Sequence, residues 1–320
     1  MSASMKLKRL QGGVAFICHL RHGIPKPFDE KTTKRWNSTN ASTNEHYCMD
    51  VVKKHDYENF LCTLLLPKNA RTATFALRAF NVDVATVKDN TSDIKIAQMR
   101  MQFWKETINE IYQGSPRQTP IACELHRAVA SHKLSKRWFS RIIEERERNL
   151  HDKAHASLED VENSAEKTTS SLLYLILETL GLKDVNADHA ASHIGKSHGI
   201  VTLLRSTPHH ASRRRVYLPM EILIKYGVSQ EQILRGKTEQ NLKDAVFEIA
   251  SQANSHLQKA QSMKKEIPKE AYSAFLLTTP IEIYLKKIQQ SDFDVFHPTL
   301  QQKNTMLPFK LWTKSMRSAY

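Results

Sequence analysis

Two pairs of histidines have a spacing that could hold a metal ion. His151 and His155 are four residues apart and would share one face of a helix. His189 and His193 repeat this spacing, whereas His198 is rotated from His193 by about 140° around a helix. No third ligand is evident for either pair. We therefore predict solvated or capping roles for His189 and His193, and we expect neither a metal site nor a cofactor at either pair.

Motifs for nucleotide and hydrolase chemistry are absent from the sequence. It contains no GxxxxGK[ST] or GxGxxG phosphate-binding loop and no GxSxG nucleophile elbow. The two acids of the segment DFD at 292–294 stand alone, and we predict a cap or turn role for them. The four cysteines are scattered without a CxxC pair, which indicates a reducing compartment and no structural zinc.

The net charge of +14 is unevenly distributed along the chain. Residues 1–44 contain eight basic and two acidic residues, and no acid precedes Asp29. This composition is typical of a mitochondrial import presequence, and we predict one over residues 1–44, disordered or cleaved. A disordered basic tail is the alternative. Beyond this segment only Arg213, Arg214 and Arg215 form a basic run, so we expect no nucleic-acid partner.

The rest of the chain has the apolar spacing of helices. Apolar residues advance by three and four over 94–111 and 241–262. Residues 171–180 are apolar on almost all sides, as in a fully buried helix. A helix over 186–206 is expected to end at Pro208. No apolar run is long enough to span a membrane, and the pattern predicts an all-α domain.

Residues 141–149 form a dense run of charges at the end of a predicted helix. The pairs Arg141/Glu145 and Glu144/Arg148 have the i, i+4 spacing of helix-stabilising ion pairs. We interpret this run as a solvated helix face.

Several separated segments, taken together, resemble the squalene/phytoene synthase family. They are YENFLCTLLLPKNARTATFALRAFN (57–81), MRMQFWKETINEIYQG (99–114), IIEERERNL (142–150) and GIVTLLRSTPHHASRRRVYLP (199–219). Their order and spacing resemble the family over about residues 57–285. The resemblance implies that residues 45–320 form an all-α, terpenoid-synthase-like helical bundle with a central cavity.

The resemblance also directs attention to the acids of the cavity. Active members place aspartates on two facing helices, where they hold Mg²⁺ ions that clamp prenyl diphosphates. Their first motif reads like DDxxD, and the matching positions here are Ala85, Thr86 and Asp89. Asp83 is a further acid nearby. These four residues would form a vestigial first motif.

The second aspartate-rich motif has also lost its acids. In active members it reads like NxxRD or DxxxD, and the matching positions here hold Thr202, Arg205 and Ser206. A neutral hydroxyl is a poor Mg²⁺ ligand by itself. The resemblance therefore implies a pseudoenzyme of this family, with no catalytic residues.

Several basic residues would then face a cavity with few negative charges. They are Arg78, Arg205 and the run of Arg213, Arg214 and Arg215, with Tyr217 close by in sequence. Such residues could contact an anionic or isoprenoid ligand, or a partner protein. The alternative is that the arginines pair with helix C-termini or surface acids.

Three shorter segments, ALRAFNVD, MRMQFWK and LQQKN, resemble a branch of the family that serves the assembly of mitochondrial respiratory complex I. This implies a non-enzymatic assembly factor that acts early in the biogenesis of a membrane-arm subunit, on the matrix side of the inner membrane. Its partners would be complex I assembly intermediates and that subunit, with peripheral membrane association. The alternative is an isoprenoid-binding or prenyl-transferring enzyme with a rearranged site. A third hypothesis, an organellar RNA-binding protein, rests on charge alone.

Overall fold

The apolar patterns of the sequence become helices throughout the described chain. The computed structural model describes residues 30–91, 93–151, 154–317 and 320, with side chains from residue 42 onward. None of these residues lies in a β-strand, which confirms the predicted all-α class. Residues 40–320 pack as one unit. Within the described part of the chain, no helix combines the length and apolar character needed to cross a membrane.

The α-helices of the described residues follow one another with short connections. In chain order they are α1 (Glu30–His55), α2 (Tyr57–Leu64), α3 (Lys68–Asn90), α4 (Ile94–Tyr112), α5 (Pro120–His132), α6 (Lys136–Arg148), α7 (Leu158–Ala165), α8 (Ser171–Thr179), α9 (Val185–Ser212), α10 (Met220–Lys225), α11 (Gln230–Leu234), α12 (Gln240–Ser262), α13 (Thr278–Gln290), α14 (Pro298–Gln301) and α15 (Leu307–Met316). A π-helix (Glu166–Ser170) joins α7 to α8, and two 3-10 helices (Met263–Glu266 and Lys269–Leu277) precede α13.

The import presequence predicted over residues 1–44 remains a prediction. Residues 1–29 lie outside the described residues. The boundary predicted after residue 44 falls inside α1, whose helical backbone is continuous from Glu30 to His55.

Helix α8 lies at the centre of the hydrophobic core. Every side chain from Leu172 to Leu177 is buried, because the helix is apolar on almost all sides. Helices α3, α6 and α9 pack against it, and α12 packs along α9. The buried helix predicted over 171–180 is therefore confirmed.

Helix α9 approaches the π-helix closely at Gly195. A Cβ atom at this position would lie 2.1 Å from Ser170 Oγ and 2.7 Å from the backbone nitrogen of Ser170. The Ser170 hydroxyl donates a hydrogen bond of 3.2 Å to the carbonyl oxygen of Ser192. Glycine permits this close contact, which fixes α9 beside the segment that carries α8.

The prediction that a helix ends at Pro208 is wrong. Helix α9 continues through Pro208 to Ser212. Proline removes one backbone donor, but the local turn retains side-chain hydrogen bonds to the Leu203 carbonyl oxygen from Thr207 Oγ1 at 2.9 Å and from Ser206 Oγ at 3.1 Å. A helix already fixed by burial on both sides of the proline tolerates this loss.

The interpretation of residues 141–149 as a solvated helix face is also wrong. Glu145 is buried, and its carboxylate lies 2.6 Å from Arg148 rather than beside Arg141. Arg141 instead lies 4.0 Å from Glu166. The Arg141/Glu145 pairing fails because Glu145 faces the π-helix, where Lys167 Nζ lies 3.6 Å from its carboxylate.

The segment at 292–294 forms a turn, as predicted. Asp292 and Phe293 have left-handed backbone angles, with φ of 51° and 55°. The Asp294 carboxylate accepts a hydrogen bond of 2.8 Å from the backbone N–H of Phe296.

Candidate functional site

A cavity of about 450 Å³ opens between α3 and α9. Helix α3 contributes residues from Arg78 to Asp89, and α9 contributes residues from His198 to His210. Further walls come from the end of α6, from α7 and from the π-helix. The segments that resemble the two family motifs therefore face one another across a single cavity.

The first motif reaches this cavity with three of its four residues. Ala85, Thr86 and Asp89 line the cavity, and the Thr86 hydroxyl donates a 2.9 Å hydrogen bond to the carbonyl oxygen of Val82. Asp83 is exposed on another face of α3. Its carboxylate accepts a 2.7 Å hydrogen bond from Trp104 Nε1, so Asp83 holds α3 against α4.

All three residues of the second motif line the cavity. The Ser206 hydroxyl is engaged with the Leu203 carbonyl oxygen, and Arg205 Nη1 lies 2.5 Å from Glu58 Oε2. Thr202 Oγ1 is buried without a hydrogen-bond partner. The second motif thus contributes hydroxyls and a cation.

These residues do not fit the Mg²⁺ ions that the family resemblance implies. Asp89 is the only carboxylate among the motif residues that line the cavity. Its Oδ1 lies 3.0 Å from Arg213 Nη1 and 4.0 Å from Arg215 Nη1, so its charge is already compensated. The described residues include no group of three or more His, Cys, Asp or Glu that could hold a metal ion. Mg²⁺ is usually held by one or two carboxylates together with substrate phosphates, and the single motif carboxylate on this wall is already paired with arginine.

The lining of the cavity is basic rather than acidic. Among the described residues that line it, the acids are Asp56 and Asp89, against Arg78, Lys88, Arg146 and Arg205. Asp56 Oδ2 lies 4.0 Å from Arg78 Nη1, and both of its oxygens accept hydrogen bonds from Asn59 Nδ2. Positive charge therefore exceeds negative charge at the positions where the family resemblance would imply aspartates.

Two of these arginines have unsatisfied polar atoms. Arg78 is only 4% exposed, and neither its Nε nor that of Arg146 has a hydrogen-bond partner. Burial lowers the pKa of both guanidinium groups, and the nearby Asp56 only partly offsets this for Arg78. Buried donors of this kind are costly unless something accepts their hydrogen bonds. An anion in the cavity would do so.

Two histidines complete the polar wall. Burial, and the adjacent arginines Arg205, Arg78 and Arg146, lower the pKa of His198 to about 3. Burial is also the main reason that the pKa of His210 falls to about 4. Both imidazoles are neutral at physiological pH, and their Nδ1 atoms lack hydrogen-bond partners.

Apolar side chains line the remainder of the cavity. Met101, Val161, Leu172, Leu173 and Leu277 contribute to its wall. The cavity could therefore accommodate a ligand that has both an anionic group and a hydrocarbon part.

The predicted anion or partner contacts lie at three different places. Arg78 and Tyr217 line the cavity. Arg213 and Arg215 lie at a neighbouring depression that shares Lys88 and Asp89 with the cavity. Lys88 Nζ lies 4.6 Å from the ring centroid of Tyr217 and donates to the carbonyl oxygens of Asn149 and His151. Arg214 is exposed, with a left-handed φ of 58°.

Sequence reasoning did not identify His198, His210 or Arg146 as residues of the cavity. The spacing of α9 contained a signal, because His198, Thr202, Ser206 and His210 recur every four residues and so share one helix face. Arg146 lay in the charge run that was interpreted as solvated. Only the packing of α6 against its neighbours identifies it as a cavity residue.

Comparison with known proteins places the chain in a family. Residues 52–308 match the model of the squalene/phytoene synthase family. The chain is 55% identical over 280 residues to NADH dehydrogenase (ubiquinone) complex I, assembly factor 6, of Bos taurus, which covers 88% of this chain and 84% of that protein. It is also 55% identical to the protein of the same name from Homo sapiens, covering 86% and 83%.

A solved structure has the same fold. A dehydrosqualene synthase in complex with ligand superimposes with a TM-score of 0.77 at 16% identity, covering 87% of this chain and 97% of that one. This likeness confirms the predicted terpenoid-synthase-like helical bundle. The chain therefore belongs to the squalene/phytoene synthase family.

Proposed function

We propose that this protein is a non-enzymatic assembly factor for mitochondrial respiratory complex I. Two relatives that are 55% identical over most of the chain carry the name of a complex I assembly factor. Such identity over more than four fifths of both chains supports a shared role.

The observation that carries the non-enzymatic part of this proposal is the charge of the cavity. The motif positions hold Ala85, Thr86, Thr202 and Ser206, and Asp89 is bound by arginine. Ionisation of a prenyl diphosphate requires metal ions that neutralise the departing pyrophosphate. Without carboxylates to hold those ions, the protein has kept the family scaffold for binding rather than for turnover.

The proposal also specifies where the protein acts and at which stage of complex I biogenesis. The protein acts early in the biogenesis of a membrane-arm subunit, on the matrix side of the inner membrane, and associates with that membrane peripherally. Its partners are that subunit and the assembly intermediates that contain it. The basic composition of residues 1–44 supports mitochondrial import.

Depletion of the protein from cells tests the proposed function. On native gels, assembled complex I and its membrane-arm intermediates should fall, while the other respiratory complexes are largely spared. Re-expression of the wild-type chain should restore complex I. An equal fall of all complexes with mitochondrially encoded subunits would instead indicate a general role in translation or RNA metabolism.

The unsatisfied arginines favour a second candidate function, which is binding of an anionic isoprenoid without turnover. Arg78 Nε and Arg146 Nε lack partners inside a cavity that also has apolar walls. Farnesyl diphosphate in EDTA should then raise the midpoint of thermal unfolding, because a ligand that binds only the folded state stabilises it.

Matched substitutions sharpen this second test. Arg146→Met should reduce the thermal shift, whereas Arg100→Met on the exposed surface of α4 should leave it unchanged. An equal shift in all three proteins, or none in the wild-type chain, would contradict ligand binding in the cavity.

A further inference from the structure

Helix α15 exposes large apolar side chains on the face opposite to its buried one. Leu307 and Leu311 are buried and pack in a small cluster with residues of α2 and the second 3-10 helix. Phe309, Trp312 and Met316 are each between 51% and 68% exposed. At 100° per residue these three lie within an arc of about 60°, opposite to the buried leucines.

The exposed apolar side chains lie close together along α15. The ring centroids of Phe309 and Trp312 are 6.1 Å apart, and Met306, directly before the helix, is also exposed. We call Met306, Phe309, Trp312 and Met316 the α15 apolar face. Single exposed apolar residues are ordinary, but four neighbours that include a tryptophan indicate a surface that meets another apolar phase.

The same region is uniformly basic. After Asp294 the sequence has no acidic residue up to its last residue, but it has Lys303, Lys310, Lys314 and Arg317. Lys310, Lys314 and Arg317 lie about 80° to 140° around the helix from Phe309, along one flank of the apolar face.

The acids and aromatic rings near this flank do not neutralise its positive charge. Glu282 of α13 lies 2.8 Å from Lys314, so it compensates one of the four charges. Lys303 Nζ lies 5.6 Å from the ring centroid of Tyr57, an exposed tyrosine on α2. Lys310 and Arg317 are exposed to solvent.

We propose that the α15 apolar face docks this protein onto an anionic lipid bilayer. Aromatic and apolar side chains on one helix face, flanked by Lys and Arg, are typical of helices that lie in the membrane interface. The buried leucines hold α15 along the body of the protein, so the helix lies flat on the bilayer. The basic flank complements anionic headgroups, and each basic residue near such a surface contributes to attraction.

This inference rests on the proposed peripheral association with the inner membrane and names the element responsible. A lipid surface explains both the α15 apolar face and the basic residues that flank it. The apolar face would enter the boundary of the acyl chains, and the lysines and arginine would contact phosphate groups.

Vesicle binding by the full-length chain tests the inference. The probes are vesicles of phosphatidylcholine alone and of phosphatidylcholine with about one quarter phosphatidylglycerol. The wild-type chain should bind the anionic vesicles and lose affinity as salt is added. Brominated lipid should quench tryptophan fluorescence, and Trp312→Phe should remove most of that quenching.

Substitutions separate α15 from other basic parts of the chain. The double variant Phe309→Ser/Trp312→Ser should weaken binding to anionic vesicles by about tenfold or more. Lys310→Gln/Arg317→Gln should weaken it by about fivefold for each lost charge. The matched control, Met99→Ser/Ile224→Ser, removes exposed apolar residues from α4 and α10 and should bind like the wild-type chain.

The inference would be overturned by any of three results. They are no binding of the wild-type chain, equal binding of the Phe309→Ser/Trp312→Ser variant, and equal quenching in Trp312→Phe. Binding of α15 to a protein instead of lipid would give the first result. Complex I assembly in depleted cells is a separate readout, so the proposed function can stand when the membrane inference fails.

Discussion

The core around α8 and the cavity between α3 and α9 are built from the same helices, but they differ in whether their buried polar groups have hydrogen-bond partners. Around α8 the side chains from Leu172 to Leu177 are buried and nearly all apolar. Six of the ten buried side-chain polar atoms that lack a partner, counted over the described residues, belong to residues lining the cavity.

This difference separates what the fold needs from what its function needs. Buried polar groups are normally hydrogen-bonded, and exceptions concentrate where a ligand or partner completes them. The core is accounted for by packing alone. The cavity carries arginines and histidines with buried atoms that lack partners, and such atoms are costly to bury, which points to a functional role.

The largest expected effect lies in the core. Leu175→Ala should lower the free energy of unfolding by about 2 to 5 kcal/mol, because a fully buried leucine leaves a cavity that its neighbours cannot fill. Denaturant titration measures this. Val185→Ala, at an exposed position, is the control and should change stability little. A Leu175→Ala protein as stable as the wild type would contradict the position of α8 at the centre of the core.

Acidification should destabilise the cavity through His198. Burial and three arginines lower its pKa to about 3 in the folded protein, against about 6.5 in the unfolded chain. Between these values the unfolded state binds more protons, so stability is complete above about pH 6.5 and falls as the pH drops toward 3. From pH 7 to pH 5 the loss due to His198 is on the order of 2 kcal/mol.

The substitution His198→Gln isolates this effect. It should reduce the slope of unfolding free energy against pH between 7 and about 5, and part of the remaining slope comes from His210, whose pKa is also lowered. An unchanged slope in His198→Gln would mean that His198 is protonated in the folded protein.

Removing a buried charge from the cavity should stabilise the fold. In Arg78→Met the desolvated guanidinium and its unpartnered Nε disappear, and Asp56 keeps its hydrogen bonds from Asn59. We expect the free energy of unfolding to rise by about 1 kcal/mol, because the cost of an unpartnered buried donor is removed and Asp56 remains 22% exposed to solvent. The same measurement giving a clear loss of stability would contradict the view that Arg78 lacks adequate partners in the free protein.

The smallest effect is expected at Asp89. Its ion pair with Arg213 is partly exposed, and such pairs contribute roughly 0 to 1 kcal/mol. Asp89→Ala should therefore leave both stability and complex I assembly largely intact. Failure of this variant to restore complex I in depleted cells would assign Asp89 a role that the structure does not explain.

Much of the fold could be predicted from the sequence, because long apolar periods determine long helices. The spacing over 94–111 and 241–262 corresponds to α4 and α12. The helix end predicted at Pro208 is wrong, because buried residues on both sides of the proline keep the helix continuous.

The cavity was less accessible to prediction. The family resemblance directed attention to Ala85 and Thr202, which line the cavity, but no local pattern shows whether a charged residue turns inward. Asp83 lies outside the cavity because Trp104 holds it, and Arg146 lies inside because of how α6 packs. Such orientations depend on tertiary contacts between segments that are distant in sequence.

The measurement that tests the central claim most directly is a synthase assay on the purified full-length chain. The protein is incubated with Mg²⁺ and farnesyl or geranylgeranyl diphosphate, beside an active squalene or phytoene synthase. Each lost electrostatic contact lowers the rate on the order of 10² to 10³, and several are lost here. We predict no squalene or phytoene. Mg²⁺-dependent product that disappears in Asp89→Ala would contradict the claim that the protein has kept the family scaffold but has no synthase activity.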